Sequence, residues 1–197
     1  MYEKAKNTAK KIIPEKMIRK NEALLRGIVA LKYKGDKHQC NVCAFKMSEF
    51  VVLENGNRLC AKCGSLPRTR RLYNVLSEEV GIKGKDVLHF SPSKAMSSRL
   101  GGLGPSSYVT TDFEDEFEAD ERLDITRIEK EDNSYDLVIC FHVLEHITED
   151  ATAMAELFRI LKNGGCALIQ TPFKEGEIYE DFSITSPEDR LEHFGQE

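Results

Sequence analysis

Four cysteines within 24 residues constrain this chain more than any other feature. Cys40-x-x-Cys43 and Cys60-x-x-Cys63 are separated by 16 residues, inside the spacing range of a four-cysteine zinc site. A two-residue gap lets both thiolates of a pair converge on one ion from a tight turn, and two such turns complete a tetrahedron. Four thiolates leave no coordination position open, so the expected site is structural and not catalytic. A metal would also explain how a segment with so small an apolar core holds a fold. Free thiols or a redox pair are the competing readings. Cys140 and Cys166 sit singly inside apolar runs and read as small core residues.

The remaining composition is that of a globular protein, 41% hydrophobic and 31% charged. No apolar run approaches the ~20 residues that cross a bilayer, and the N-terminus lacks the pattern of a secretory leader. A cytoplasmic location is expected, where thiols stay reduced and metal is favoured over disulfides. Net charge is uneven. Residues 1–38 hold eleven Lys/Arg and four Asp/Glu, whereas the remainder holds 17 and 29. A basic arm on an acidic body suits phosphates or an anionic membrane surface, or is a solvated helix packed on the body.

The chain divides by pattern into a basic helical arm over 1–37, a zinc knuckle over 38–66 and an α/β domain over 67–197. Residues 3–32 read as helical around Pro14, with Ile12, Ile13, Met17, Ile18, Leu24, Leu25, Ile28 and Leu31 as an apolar stripe. Gly35-Asp36 reads as a turn, and residues 50–53 as a strand running into the turn at 54–57. Pro67 opens a helix with Leu72, Val75, Leu76 and Val80 on one face. Strands follow at 86–90, 108–112, 123–125, 135–141 and 166–170. Helices are expected at 94–100 and 149–162, the second burying Ala151, Met154, Ala155, Phe158 and Leu161. Strands alternating with helices in this order predict a parallel sheet covered on both faces.

Open parallel sheets bind ligands beyond the carboxyl ends of their strands, near the point where strand order reverses. His89, Phe90, Ser91 and Pro92 end the first such strand. Asp112 follows the second, 22 residues beyond Phe90, where a carboxylate takes both hydroxyls of a ribose. Asp124 and Ile125 stand where an adenine amino group would lie, and Phe141 and His142 end the fourth strand. His142 and Glu145 are the candidate general bases.

The segment Asn133-Ser-Tyr-Asp-Leu-Val-Ile-Cys-Phe-His-Val-Leu-Glu-His-Ile147 and Arg159-Ile-Leu-Lys-Asn-Gly-Gly165 resemble the class I S-adenosylmethionine-dependent methyltransferases. Val87-Leu-His-Phe-Ser-Pro-Ser93, the cysteine quartet and Tyr179–Arg190 resemble a bacterial zinc-knuckle subfamily of that group. The resemblance implies a Rossmann-like fold, S-adenosylmethionine as cofactor, structural zinc, and a small-molecule or sugar acceptor. It departs from the group's pattern at the first loop, where His89 replaces an acid and residues 89–94 contain no glycine. Two further strands would follow the fifth in that group; a chain ending soon after it is expected to self-associate or to cover the edge with its N-terminal helix, and to be a weak enzyme.

Other readings have specific signals against them. An RNA acceptor would use the knuckle and basic arm, but the knuckle lacks a stacking run and the body is acidic. A non-catalytic binding relative is the reading that the glycine-free loop would favour. A nicotinamide enzyme lacks its Gly-x-Gly-x-x-Gly fingerprint, and Gly101-Gly-Leu-Gly104 follows a helix. His142-x-x-Glu145-His146 matches a metallopeptidase pattern that needs a helix, yet here it closes a strand. Tyr179, Glu180, Asp181 and His193 are acceptable substrate contacts, and Arg68, Arg70 and Arg71 suit a phosphate or a solvated helix face.

Overall fold

A computed structural model describes residues 17, 21–114, 118–172, 181, 184, 186 and 189. Two compact units are present, one made of residues 1–83 and 93–104 and the other of residues 84–92 and 105–197.

The first unit is built on the cysteines. Helix α1 (Glu22–Tyr33) leads into β1 (Lys34–Gln39), which pairs antiparallel with β2 (Lys46–Met47). A second hairpin joins β3 (Val51–Val52) to β4 (Arg58–Leu59) across the expected turn, with Gly56 at φ 79°. The Gly35-Asp36 turn is not formed. Both residues belong to β1, where a Cβ on Gly35 would stand 2.6 Å from the Ser48 amide nitrogen. That glycine therefore serves a close backbone approach in a bulged ladder. Helix α2 (Pro67–Asn74) begins at Pro67 and continues as a π-turn over Val75–Glu79, burying Leu72 and Leu76. Helix α3 (Lys94–Gly101) buries Met96 and Leu100.

On α1 the packed face is Val29, Ala30 and Tyr33, set against Val51, Leu59 and Ala61. Met17, Leu24, Leu25, Ile28 and Leu31 of the apolar stripe are exposed instead. Ile12, Ile13 and Ile18 lie outside the described residues.

The second unit is a parallel sheet in the order β6-β5-β7-β8, from β5 (Asp86–Phe90), β6 (Ser107–Thr111), β7 (Tyr135–Phe141) and β8 (Leu161–Gln170). Its central strands are apolar on both faces, as two-sided burial requires. Val87, Leu88, Leu137, Val138, Ile139 and Cys140 have no exposed surface. At the amino ends Lys162 bridges Asp86 (2.6 Å) and Asp136 (2.9 Å). The ammonium lowers the Asp86 carboxyl, and the Asp86 backbone N–H together with that ammonium lowers Asp136.

Three expectations are corrected in this unit. Residues 123–125 form no strand: isolated bridges join Thr111 to Glu121 and Asp124 to Arg127, and Asp124 accepts the Thr126 N–H (2.8 Å) and hydroxyl (2.7 Å). That local turn competes with ladder pairing. Helix α4 (Asp150–Ile160) buries Ala153, Leu157 and Ile160. Met154 and Phe158, expected inside, are 47% and 80% exposed, because the helix carries two apolar sets at helical spacing and only one faces the sheet. Finally, α4 stops at Ile160, and Leu161 already pairs with Tyr135 in β8. Arg159 ties α4 to the preceding loop, donating to Glu156, Asp132 and the carbonyls of Ile128 and Lys130.

At one equivalent position both cysteine turns take left-handed backbone, with Ala44 (φ 57°) in the first and Gly64 (φ 75°) in the second. Only glycine adopts that left-handed conformation without strain. Ala44→Gly is expected to stabilise the protein and Gly64→Ala to destabilise it, each by ~1 kcal/mol in thermal denaturation.

Candidate functional site

In the first unit the two cysteine turns of the sequence pattern become two copies of one structure. The Ala44 N–H donates to the Cys40 carbonyl (2.7 Å), and the Cys40 N–H to the Phe45 carbonyl (3.0 Å). The Gly64 N–H donates to Cys60 (2.9 Å) and the Cys60 N–H to Ser65 (3.0 Å) in the same way. All four Sγ atoms lie within 4.8 Å of one another. Cys40 to Cys63 measures 3.8 Å and Cys43 to Cys60 3.7 Å. Zinc–sulfur bonds of ~2.3 Å at tetrahedral angles place sulfurs ~3.8 Å apart, so the donor set fits such an ion.

The electrostatics agree with a cation here. Hydrogen bonding from Cys43, then from Cys60 and Cys63, lowers the Cys40 thiol, and the same contact with Cys40 pushes Cys43 up. Thiols this close ionise together only when positive charge stands among them. Among the described residues no other group of His, Cys, Asp or Glu side chains has metal-binding geometry. His142 and His146 are separated by a 3₁₀ turn over Leu144–His146, which does not supply the helical spacing of a metallopeptidase site.

Arg70, a candidate phosphate ligand, packs over the Phe50 ring at 4.4 Å and donates to the carbonyls of Ser65 and Arg58. Arg71 pairs with Glu79. Both hold the unit's own chain.

In the second unit, β6 and β7 lie on opposite sides of β5, so strand order reverses there. A cleft of about 300 Å³ opens at these carboxyl ends, within the size range of small-ligand pockets. Phe90, Leu123, Ile125, Val143 and Ile147 supply apolar wall, and Ser91, Glu114, Asp124, Thr126 and His146 supply polar edge. Its lower rim is fixed by the return of the chain after β6. The Thr110 N–H and hydroxyl donate to Asp120, and the Leu123 N–H donates to the Thr111 hydroxyl. Asp124 is held below the usual carboxylate range by the Thr126 hydroxyl and N–H.

Of the sequence candidates, Phe90, Ser91, Asp124 and Ile125 line this cleft. His89, Pro92, Asp112, Phe141, His142 and Glu145 do not line it. Asp112 is buried directly after β6, and its N–H donates to the Glu121 carbonyl (3.2 Å). Phe141 is half-buried opposite Gln170, and Pro92 is buried. Tyr179, Glu180 and His193 lie outside the described residues. The sequence reading missed Phe113, Glu114 and Thr148 at the rim, whose loop positions carry no periodic signal.

Backbone strain marks the same ends of the sheet. Ser91 (φ 48°) follows β5 and His142 (φ 58°) follows β7, both left-handed without being glycine. In this glycine-free loop the left-handed turn is made by Ser91, whose N–H reaches the Thr111 carbonyl at 2.7 Å. Strain of this kind persists where surrounding structure over-determines it, and it concentrates at functional sites. His142 Nδ1 stands 3.1 Å from Glu145 Oε1, while its buried Nε2 has no hydrogen-bond partner among the described residues.

Residues 77–169 match the family described as a methyltransferase domain. A 57-residue stretch is 42% identical to the uncharacterized protein MJ0638 of Methanocaldococcus jannaschii, covering 27% of this chain and 25% of that protein. Two similar solved structures are the S-adenosylmethionine dependent methyltransferase from Mesorhizobium loti and the PH0226 protein from Pyrococcus horikoshii. The first is 18% identical with TM-score 0.42, covering 50% of each chain. The second is 18% identical with TM-score 0.41, covering 52% of this chain and 54% of that one. The chain thus spans a quarter of the length of MJ0638 and about half of these structures. The matched segment is thus similar to a methyltransferase domain over 93 of the 197 residues. It holds all four strands of the sheet but the last residue of β8.

His89 sits beneath the cleft, 2% exposed, with Nδ1 2.8 Å from the Tyr108 hydroxyl. Burial lowers its pKa to about 3, against 6.5 for the free side chain. Below pH 6.5 the unfolded chain binds a proton there that the folded chain does not, so stability falls as pH falls. His89→Gln should remove ~1.4 kcal/mol per pH unit from that slope in denaturant titrations.

Proposed function

We propose that this chain binds S-adenosylmethionine in the cleft at the ends of β5, β6 and β7 and methylates a small-molecule or sugar acceptor. The observation that carries the reading is the cleft itself. It lies where strand order reverses, it is walled by apolar side chains and edged by carboxylates, and its lining falls within the segment similar to a methyltransferase domain. Apolar walls with a few convergent polar groups suit an adenosyl ligand. When bound, the cofactor supplies an electrophilic methyl group on a sulfonium.

Each residue of this chain takes a definite part in the proposal. Asp112 stands outside the cleft's lining, next to the rim residue Phe113, and receives the ribose hydroxyls where the ligand reaches past that rim. Asp124 meets the adenine amino group, and Ile125 and Phe90 flank the ring. The turn at Ser91 brings backbone close to the methionine end, as a glycine would in other loops of this type. His142 and Glu145 act as a pair. With the proton on Nδ1 facing Glu145, Nε2 is left as the acceptor for a proton from the acceptor nucleophile. His89 supports Phe90 and Ser91 from below. The cysteine quartet holds one structural zinc, and no substrate chemistry is assigned to it.

Calorimetry with S-adenosylhomocysteine tests the site. One molecule per chain is expected, and Asp112→Ala should weaken binding by ~1–3 kcal/mol, the worth of a charge-assisted hydrogen bond. An unchanged dissociation constant removes Asp112 from the site, and no binding by the parent removes the function. His142→Gln should lower turnover far more than it changes cofactor affinity. Elemental analysis should find one zinc per chain, and Cys60→Ser should lower both zinc content and melting temperature.

A further inference from the structure

The two units carry opposite charge. The cysteine unit has 20 Lys/Arg against 8 Asp/Glu, and the sheet unit has 8 against 25. On the cysteine unit α1 is apolar on two sides, and among the described residues one of them packs. On the other side Leu24, Ile28 and Leu31 are 66%, 60% and 73% exposed. Steps of four and three residues align these three in a single stripe along the helix.

A bare aliphatic stripe on a strongly cationic unit combines two kinds of recognition. Apolar side chains favour leaving water, and the surrounding cations favour a surface of negative charge. A helix lying in the boundary of an anionic bilayer satisfies both, with aliphatic groups at the acyl level and ammonium groups among the phosphates. Lys32 and Lys34 stand at the end of the stripe, where long basic side chains keep their charged heads in water.

We propose that the exposed stripe of α1 seats the protein on an anionic lipid surface. Leu24, Ile28 and Leu31 insert, and the positive excess of the cysteine unit supplies the electrostatic attraction. A second copy of α1 suits the stripe less well. Twelve residues make about three turns, short for a coiled-coil seam. Two cysteine units of like charge also repel. A nucleic acid would use the charge but leave the aliphatic groups in water, because bases stack on aromatic rings and this stripe has none.

Co-sedimentation of the zinc-bound 197-residue chain with vesicles tests this. Two compositions serve, phosphatidylcholine alone and phosphatidylcholine with about 30% phosphatidylserine. Binding is expected to the second, little to the first, and less as salt rises. The Ile28→Glu/Leu31→Glu variant should keep its zinc content and circular dichroism and lose binding roughly tenfold or more. Phe158→Glu, altering a side chain 80% exposed on the sheet unit, should bind as the parent does. The proposal is overturned if serine-lipid vesicles bind no protein, if the double variant still binds, or if Phe158→Glu causes an equal loss. It is also overturned if sedimentation velocity finds a dimer that the double variant dissolves, which would assign the stripe to a second copy.

Discussion

The parallel pairing of β5 with β7 is the constraint on which the sheet unit depends. These strands are far apart in sequence, yet Val87 to Phe90 stand in register with Leu137 to Cys140. Their side chains are buried on both faces, so a one-residue slip would not exchange core for solvent as it does in a half-exposed sheet. Register is held at the amino ends instead. There Asp136 accepts the Asp86 N–H at 2.8 Å, and Lys162 bridges both carboxylates. With that end locked, the carboxyl ends finish level, and the loops that follow surround one cleft.

What surrounds the cleft is less regular than the sheet beneath it, and the irregularity has a physical use. Ser91 and His142 leave their strands through left-handed backbone, which turns the chain sharply and aims the following residues away from the ladder. The chain after β6 returns and attaches to Thr110 and Thr111 by hydrogen bonds through Asp120 and Leu123. That attachment carries Leu123 and Ile125 into the core of the sheet unit and leaves Asp124 at the rim. A buried neutral His89, tied to Tyr108, lies under this arrangement and needs no charge partner.

The cysteine unit solves a different problem. Three of its four hairpin strands have only two residues, and the core around the thiols adds only Val42 and Met47 as fully buried side chains. Four sulfurs at tetrahedral separations would carry uncompensated charge if ionised alone. A cation bound there would convert that repulsion into four bonds and so let a short segment hold its fold.

Local pattern alone determined the quartet, the helix opening at Pro67, and the bounds of β5 and β7. Each of these rests on spacing or on a continuous apolar run, and both are properties of neighbouring residues. The carboxyl-end positions of Phe90 and Ser91 were legible for the same reason, since a strand's end can be read where its apolar run stops. Tertiary structure decided the rest. Met154 and Phe158 share helical spacing as well as Ala153, Leu157 and Ile160 do, and only the packed sheet selects which set is buried. Residues 123–125 have the composition of a strand, but their hydrogen bonds go to Thr111 and to a local turn. His89 ends an apolar run like any ligand-facing residue, yet the pleat turns its ring toward Tyr108, because side-chain direction depends on which face the neighbouring strands bury.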